Sequence, residues 1–111
     1  ATGRCVAAFG DFDTTTLQSR FALVPWDKQP SFDTWKAQID NTRRDGYGID
    51  LGEFISGVTI IAAPFFNSSG AVTRSLVALG TSEKMEMTGI TSIAHKMLKM
   101  RDSVSDYLMS N

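Results

Sequence analysis

Gly46-Tyr47-Gly48-Ile49-Asp50-Leu51-Gly52-Glu53-Phe54-Ile55-Ser56-Gly57-Val58-Thr59-Ile60-Ile61-Ala62-Ala63-Pro64-Phe65-Phe66-Asn67 is the stretch that decides the fold. Gly46 closes a helix, Tyr47 to Glu53 alternates as a short strand, Ser56-Gly57 turns, and Val58 to Phe66 runs on as a longer apolar strand. In the first strand Tyr47, Ile49 and Leu51 share one side, and Gly48, Asp50 and Gly52 share the other. That second side is bare except for one carboxylate, and its glycines leave room for something to approach closely. Val58 to Phe66 is apolar on both faces, as a central strand covered on each side must be. Asn67-Ser68-Ser69-Gly70 then reads as a hairpin turn, returning the chain through Ala71 to Gly80 as an antiparallel partner. Thr73, Ser75, Val77 and Leu79 fall on one side of that partner.

Upstream of the hairpin, Ser31 to Asp45 predicts a helix. Ser31 suits the N-cap, Asp33 the first turn, Arg43 and Arg44 the last turn, and Gly46 the C′ position. Phe32, Trp35 and Ile39 make its apolar stripe. Two shorter helices precede it, over Ala1 to Gly10 with Thr2 as N-cap, and over Asp13 to Arg20 capped by Asp13 or Thr14. In the first, Val6 and Phe9 form the expected apolar face. Phe21 to Pro30, with Pro25 and Pro30, reads as an extended connection in which Trp26 packs. Downstream, Thr81 to Met87 reads as a loop and Thr88 to Met109 as the last helix. Its buried stripe is Ile90, Ile93, Ala94, Met97, Leu98, Val104 and Leu108, with Lys96, Lys99, Arg101 and Asp102 facing water. The predicted order is α-α-α-β-β-β-α, an α+β domain with helices covering an antiparallel sheet.

The chain has 111 residues, enough for one core. Its 42% hydrophobic and 21% charged content is that of a globular domain. A net charge of −1 argues against gripping nucleic-acid phosphates through this segment. No apolar run reaches the ~20 residues of a membrane span, and no leader-like sequence opens the chain. A single cysteine, Cys5, fits a reducing compartment, so the cytoplasm is expected. Catalytic signals are missing: His95 is the one histidine, no G-x-S-x-G elbow or phosphate-cradling glycine loop occurs, and no metal-ligand spacing joins His95 to Cys5. On a regular strand Asp50 and Glu53 point to opposite sides, which leaves no acid–base pair. The expectation is no enzyme, no cofactor and no metal.

The hairpin region carries a resemblance. Arg43, Gly46, Tyr47 and Asp50 at their spacing, followed by Gly57-Val58 and Ile61-Ala62-Ala63-Pro64, resemble the signature of the IclR family of bacterial transcriptional regulators. Ala1-Thr2-Gly3-Arg4 is similar to the family's S-[AG]-x-G-[KR]-A segment, and the likeness runs over essentially the whole chain. The resemblance implies a GAF-like effector-binding domain, with residues 1–111 its later part. The family's first strands and its N-terminal winged helix-turn-helix DNA-binding domain would lie outside this chain. It further implies a small-molecule effector, a carboxylic acid, operator DNA contacted only through the other domain, and a homodimer or homotetramer acting as a repressor or activator.

Carried over by position, the effector site comprises Ala1, Thr2, Asp50, Val58, Ile60, Val77 and Leu79. The start of the first helix would offer free N–H groups to a carboxylate, and Asp50 would accept hydrogen bonds from a ligand. In members that bind very small oxo-acids the last strand supplies serines. Val77 and Leu79 in their place imply a ligand with a longer alkyl or aromatic part. Read without the resemblance, the four aliphatics are first of all plain core, and Asp50 is equally an exposed strand residue or a turn cap. Two other functions stay open beside sensing: a structural oligomerisation domain with a vestigial pocket, and a small enzyme on the same fold.

Overall fold

The computed structural model describes residues 1–109, and side-chain surroundings for residues 1–106. Its elements are α1 (Thr2–Phe9), α2 (Thr14–Leu23), α3 (Phe32–Asp45), β1 (Gly48–Leu51), β2 (Val58–Phe66), β3 (Val72–Thr81), α4 (Ser82–Thr88) and α5 (Ile90–Met109). The strands form one antiparallel sheet in the order β1-β2-β3. The α+β class and the covered sheet are as expected. The order gains one helix, because residues read as a loop form α4. Thr81 caps it by accepting from the Lys84 N–H at 3.4 Å, and Glu83 stands in its first turn.

Local chemistry sets the boundaries. Ser31 caps α3 by accepting from the Thr34 N–H at 3.1 Å, and Gly46 ends it in the left-handed region at φ 86°. Asp13 caps α2, and its carboxyl is held below its ordinary value by the hydrogen bonds from Thr16. α2 runs to Leu23, beyond the expected end at Arg20, and stops where Pro25 bars Val24 from the helical region. β2 tolerates Pro64 because β1 ends with Gly48 opposite Ala62, so beyond that point β2 is paired only with β3.

Register divides the sheet into two faces. Ile49, Ile61 and Ala78 are aligned, as are Ala63 and Leu76, and this face packs on Ala94 and Met97 of α5. Gly48, Ala62 and Val77 are aligned on the other face, as are Asp50, Ile60 and Leu79, and α1 lies across this face in contact with all three strands. α1, α2 and α3 carry a separate apolar cluster, with Ala7, Ala8, Leu17, Phe21, Trp35 and Ile39 buried.

Some faces differ from expectation. α1 buries Arg4, Cys5, Ala7 and Ala8, while Val6 and Phe9 are only partly covered. Apart from Arg4, the buried side chains are small, and this lets the helix lie close between sheet and α3. On α5, Val104 is exposed, and Arg101 turns inward to donate to the Pro64 carbonyl at 2.9 Å. Leu108, placed on the same stripe, falls outside the residues whose side chains are described.

Candidate functional site

Asp50 has no exposed surface. Its Oδ2 accepts from Arg4 Nη1 at 3.0 Å, and its Oδ1 accepts from the N–H groups of Glu53 at 2.9 Å and Phe54 at 3.2 Å. Burial by itself raises the carboxyl's pKa. The Arg4 hydrogen bond, the Phe54 and Glu53 N–H groups and the Arg4 charge outweigh it, leaving Asp50 below its ordinary value. With those three bonds made, about one of the carboxylate's ~four acceptor sites is left for anything else.

Arg4, 2% exposed, organises the rest. Besides Asp50 it donates to Glu53 Oε1 at 2.8 Å and to Gln38 Oε1 from both Nε and Nη2, at 3.0 and 2.7 Å. Gln38 Nε2 in turn donates to Glu53 at 3.1 Å. The expectation that Asp50 and Glu53 point apart is corrected here. β1 ends at Leu51, Gly52 takes φ 78°, and the turn brings Glu53 back to the same guanidinium. No buried side-chain nitrogen or oxygen among the described residues lacks a partner.

The space beside Gly48 is filled by the chain itself. A Cβ on Gly48 would stand 2.9 Å from the Ala1 carbonyl and 3.4 Å from Cys5 Sγ. Cys5 is buried, donates to the Ala62 carbonyl at 3.4 Å, and has its thiol pKa raised by burial. It is a packing residue, and β1 is bare there because α1 crosses it.

Next to the Arg4–Asp50 pair opens a cleft of about 290 Å³. α1 contributes Ala1, Thr2, Gly3 and Arg4 to it, and the sheet contributes Asp50 and Ile60. Three aromatic rings complete the wall, Trp26 from the α2–α3 connection, Trp35 from α3 and Phe54 from the β1–β2 turn. Trp26 is fixed by donating from Nε1 to the Phe21 carbonyl at 3.2 Å and by packing on the Phe21 ring. The Arg4 guanidinium carbon lies 5.7 Å from its ring centre.

Of the seven residues singled out in the sequence, Ala1, Thr2, Asp50 and Ile60 are thus brought together. Val58, Val77 and Leu79 do not line the cleft. Leu79 does share the sheet face of Asp50 and Ile60, but it is 62% exposed, and Val77 is exposed as well. Sequence reasoning missed Trp35, Phe54, Gln38 and Glu53, and treated Arg4 only as part of a motif. The available signal was helical spacing: Arg4 and Ala8 lie one turn apart on a face otherwise made of small residues.

His95 is exposed on α5 near the Tyr47 ring, and no group of three or more potential metal ligands occurs among the described residues. No helix among them is long and apolar enough to cross a membrane.

Residues 1–106 match the family model described as "Bacterial transcriptional regulator IclR C-terminal". The chain belongs to the IclR family. No curated protein matches it. Among solved structures, it resembles the Agobacterium tumefaciens repressor BlcR with a TM-score of 0.76 and 18% identity, over 94% of this chain and 44% of BlcR. The transcriptional regulator YaiJ gives a TM-score of 0.80 at 18% identity, over 96% of this chain and 61% of YaiJ. An IclR-type regulator from Alicyclobacillus acidocaldarius gives 0.76 at 25% identity, over 96% of this chain and 44% of that one. The chain therefore spans about half the length of these three solved structures, and at such identities the likeness carries the fold.

Proposed function

We propose that this chain is the effector-sensing part of a bacterial transcriptional regulator, binding a small organic molecule in the cleft beside Arg4 and Asp50. The carrying observation is the cleft's make-up: three aromatic rings and Ile60 around a buried, fully hydrogen-bonded ion pair. Such a wall takes an apolar or aromatic body and orients it against a few fixed polar groups. In this reading Asp50 acts as the strut that holds Arg4 and the 52–54 turn. DNA contact belongs to a separate domain, the protein works as a cytoplasmic homo-oligomer, and the domain does no chemistry on its ligand. Binding changes DNA affinity to the extent that the ligand favours one arrangement of the regulator over another.

A second reading, a structural oligomerisation domain with a vestigial pocket, is favoured by one specific observation. Asp50 is occupied by intrachain partners, while apolar Val77 and Leu79 stand exposed. Thermal shift of the full-length regulator with a panel of organic acids separates the two. Sensing predicts a rise in Tm of several degrees at saturating ligand, reduced by Phe54→Ala and accompanied by a change in operator affinity. A flat response across the panel, with operator affinity unmoved, supports the structural role.

A further inference from the structure

A second cleft, of about 330 Å³, adjoins the first. Gly3, Val24 and Trp35 line both. Phe12, Leu23 and Arg20 line the second cleft and not the first, and Leu23 is 82% exposed. Gly3 is the joint between the two, and a Cβ added to it would meet nothing within 4 Å. The side of α1 between the clefts is therefore open.

Charge decides how a ligand would lie across them. In the first cleft the Arg4 guanidinium already faces two carboxylates, Asp50 and Glu53, at 3.0 and 2.8 Å. One cation between two anions leaves an excess of negative charge, which the roughly half-charge of a helix N-terminus does not overcome. A second anion gains little there. In the second cleft Arg20 makes no ion pair among the described residues, and its guanidinium carbon lies 4.4 Å from the centre of the Phe12 ring. The cation without a carboxylate partner is at the far end.

We propose that the two clefts form one site for an amphipathic carboxylic acid, with the carboxylate against Arg20 and the apolar tail passing Gly3 to end among Trp26, Trp35 and Phe54. This rests on the sensing role and reverses the orientation the helix N-terminus alone suggests. Gly3 sets the permitted ligand length, and Arg20 sets the preference for an acid.

Both tryptophans of the sequence line the first cleft, so their emission reports its occupancy. The chain is titrated with butyrate, octanoate and octan-1-ol. Octanoate is expected to bind at least about tenfold tighter than butyrate, because the extra methylenes leave water. Arg20→Gln, at an exposed position, is expected to weaken octanoate about threefold to fivefold at low salt and to leave octanol unchanged. Gly3→Leu is expected to weaken both. Equal affinity for the two acids, octanoate insensitive to Arg20→Gln, or octanol insensitive to Gly3→Leu would each overturn the two-cleft site while leaving the first cleft a binding site. No emission change with any of the three overturns both readings.

Discussion

The two faces of the sheet are finished in different ways. Toward α5 the sheet presents Ile61 and Ala63, fully buried, against Ala94 and Met97, and no charged side chain is buried there among the described residues. Toward α1 it presents Asp50, Ile60, Val77 and Leu79, and there a buried guanidinium, a cleft and exposed aliphatics lie side by side. The first face is closed by shape, the second by hydrogen bonds. Apolar packing is non-directional and tolerates few voids. A bonded ion pair holds its groups at fixed distances and so can border an empty space without collapsing it. The contrast is what makes the α1 side the place to look for a ligand.

The comparison can be broken most severely at the ion pair. Asp50→Ala leaves a buried guanidinium with one carboxylate and frees two turn N–H groups, and should cost about 3–5 kcal/mol in urea melts. Replacing Arg4, Asp50 and Glu53 together by Met, Leu and Gln should recover part of that loss, the two turn N–H groups staying free. Failure of this triple variant to recover anything would mean that the hydrogen-bond geometry, and not the charge balance, holds this side. The wild-type pair also has a signature in pH. Asp50 titrates below its unfolded value, so its contribution is fully present above about pH 4 and is lost as pH falls through the folded-state pKa. Asp50→Asn should flatten that acid limb. Next in size is the closed face: Ile61→Ala, at a site with no exposed surface, should cost about 2–4 kcal/mol with no pH dependence. At the small end, Leu79→Ser should change stability by less than about 0.5 kcal/mol, because the side chain already meets water. A loss comparable to that of Ile61→Ala would show that Leu79 is covered in solution, and calls for an oligomeric-state measurement on the same samples.

The sequence was most legible where one signal acted alone. β2 runs from Val58 to Phe66 as read, because a continuous apolar run between Gly57 and Asn67 admits little else, and α3 keeps its expected caps because Ser31 and Gly46 satisfy its free ends directly. Legibility fell where tertiary geometry overrode a local rule. Glu53 was placed opposite Asp50 by strand alternation, but alternation ends with the strand at Leu51. Gly48 correctly announced a close approach without saying that the visitor is α1. α4 was hidden because a short segment between Gly80 and Gly89 looks like a loop until the Thr81 cap is weighed. Of the site, Asp50 and the start of α1 were legible through the resemblance. The aromatic walls were not, since Trp26, Trp35 and Phe54 come from three segments that only the folded chain assembles.

Two surface loops are stitched together beside that wall. The Asp27 and Lys28 N–H groups donate to the carbonyls of Phe54 and Glu53 at 3.1 and 2.8 Å, and the Ser56 N–H donates to the Asp27 carboxylate at 2.8 Å. The α2–α3 connection and the β1–β2 turn are thus coupled like two rungs on one rail. Trp26 rides on one and Phe54 on the other, so parting the two rings displaces both segments together, and the lead-in to α3 moves with them.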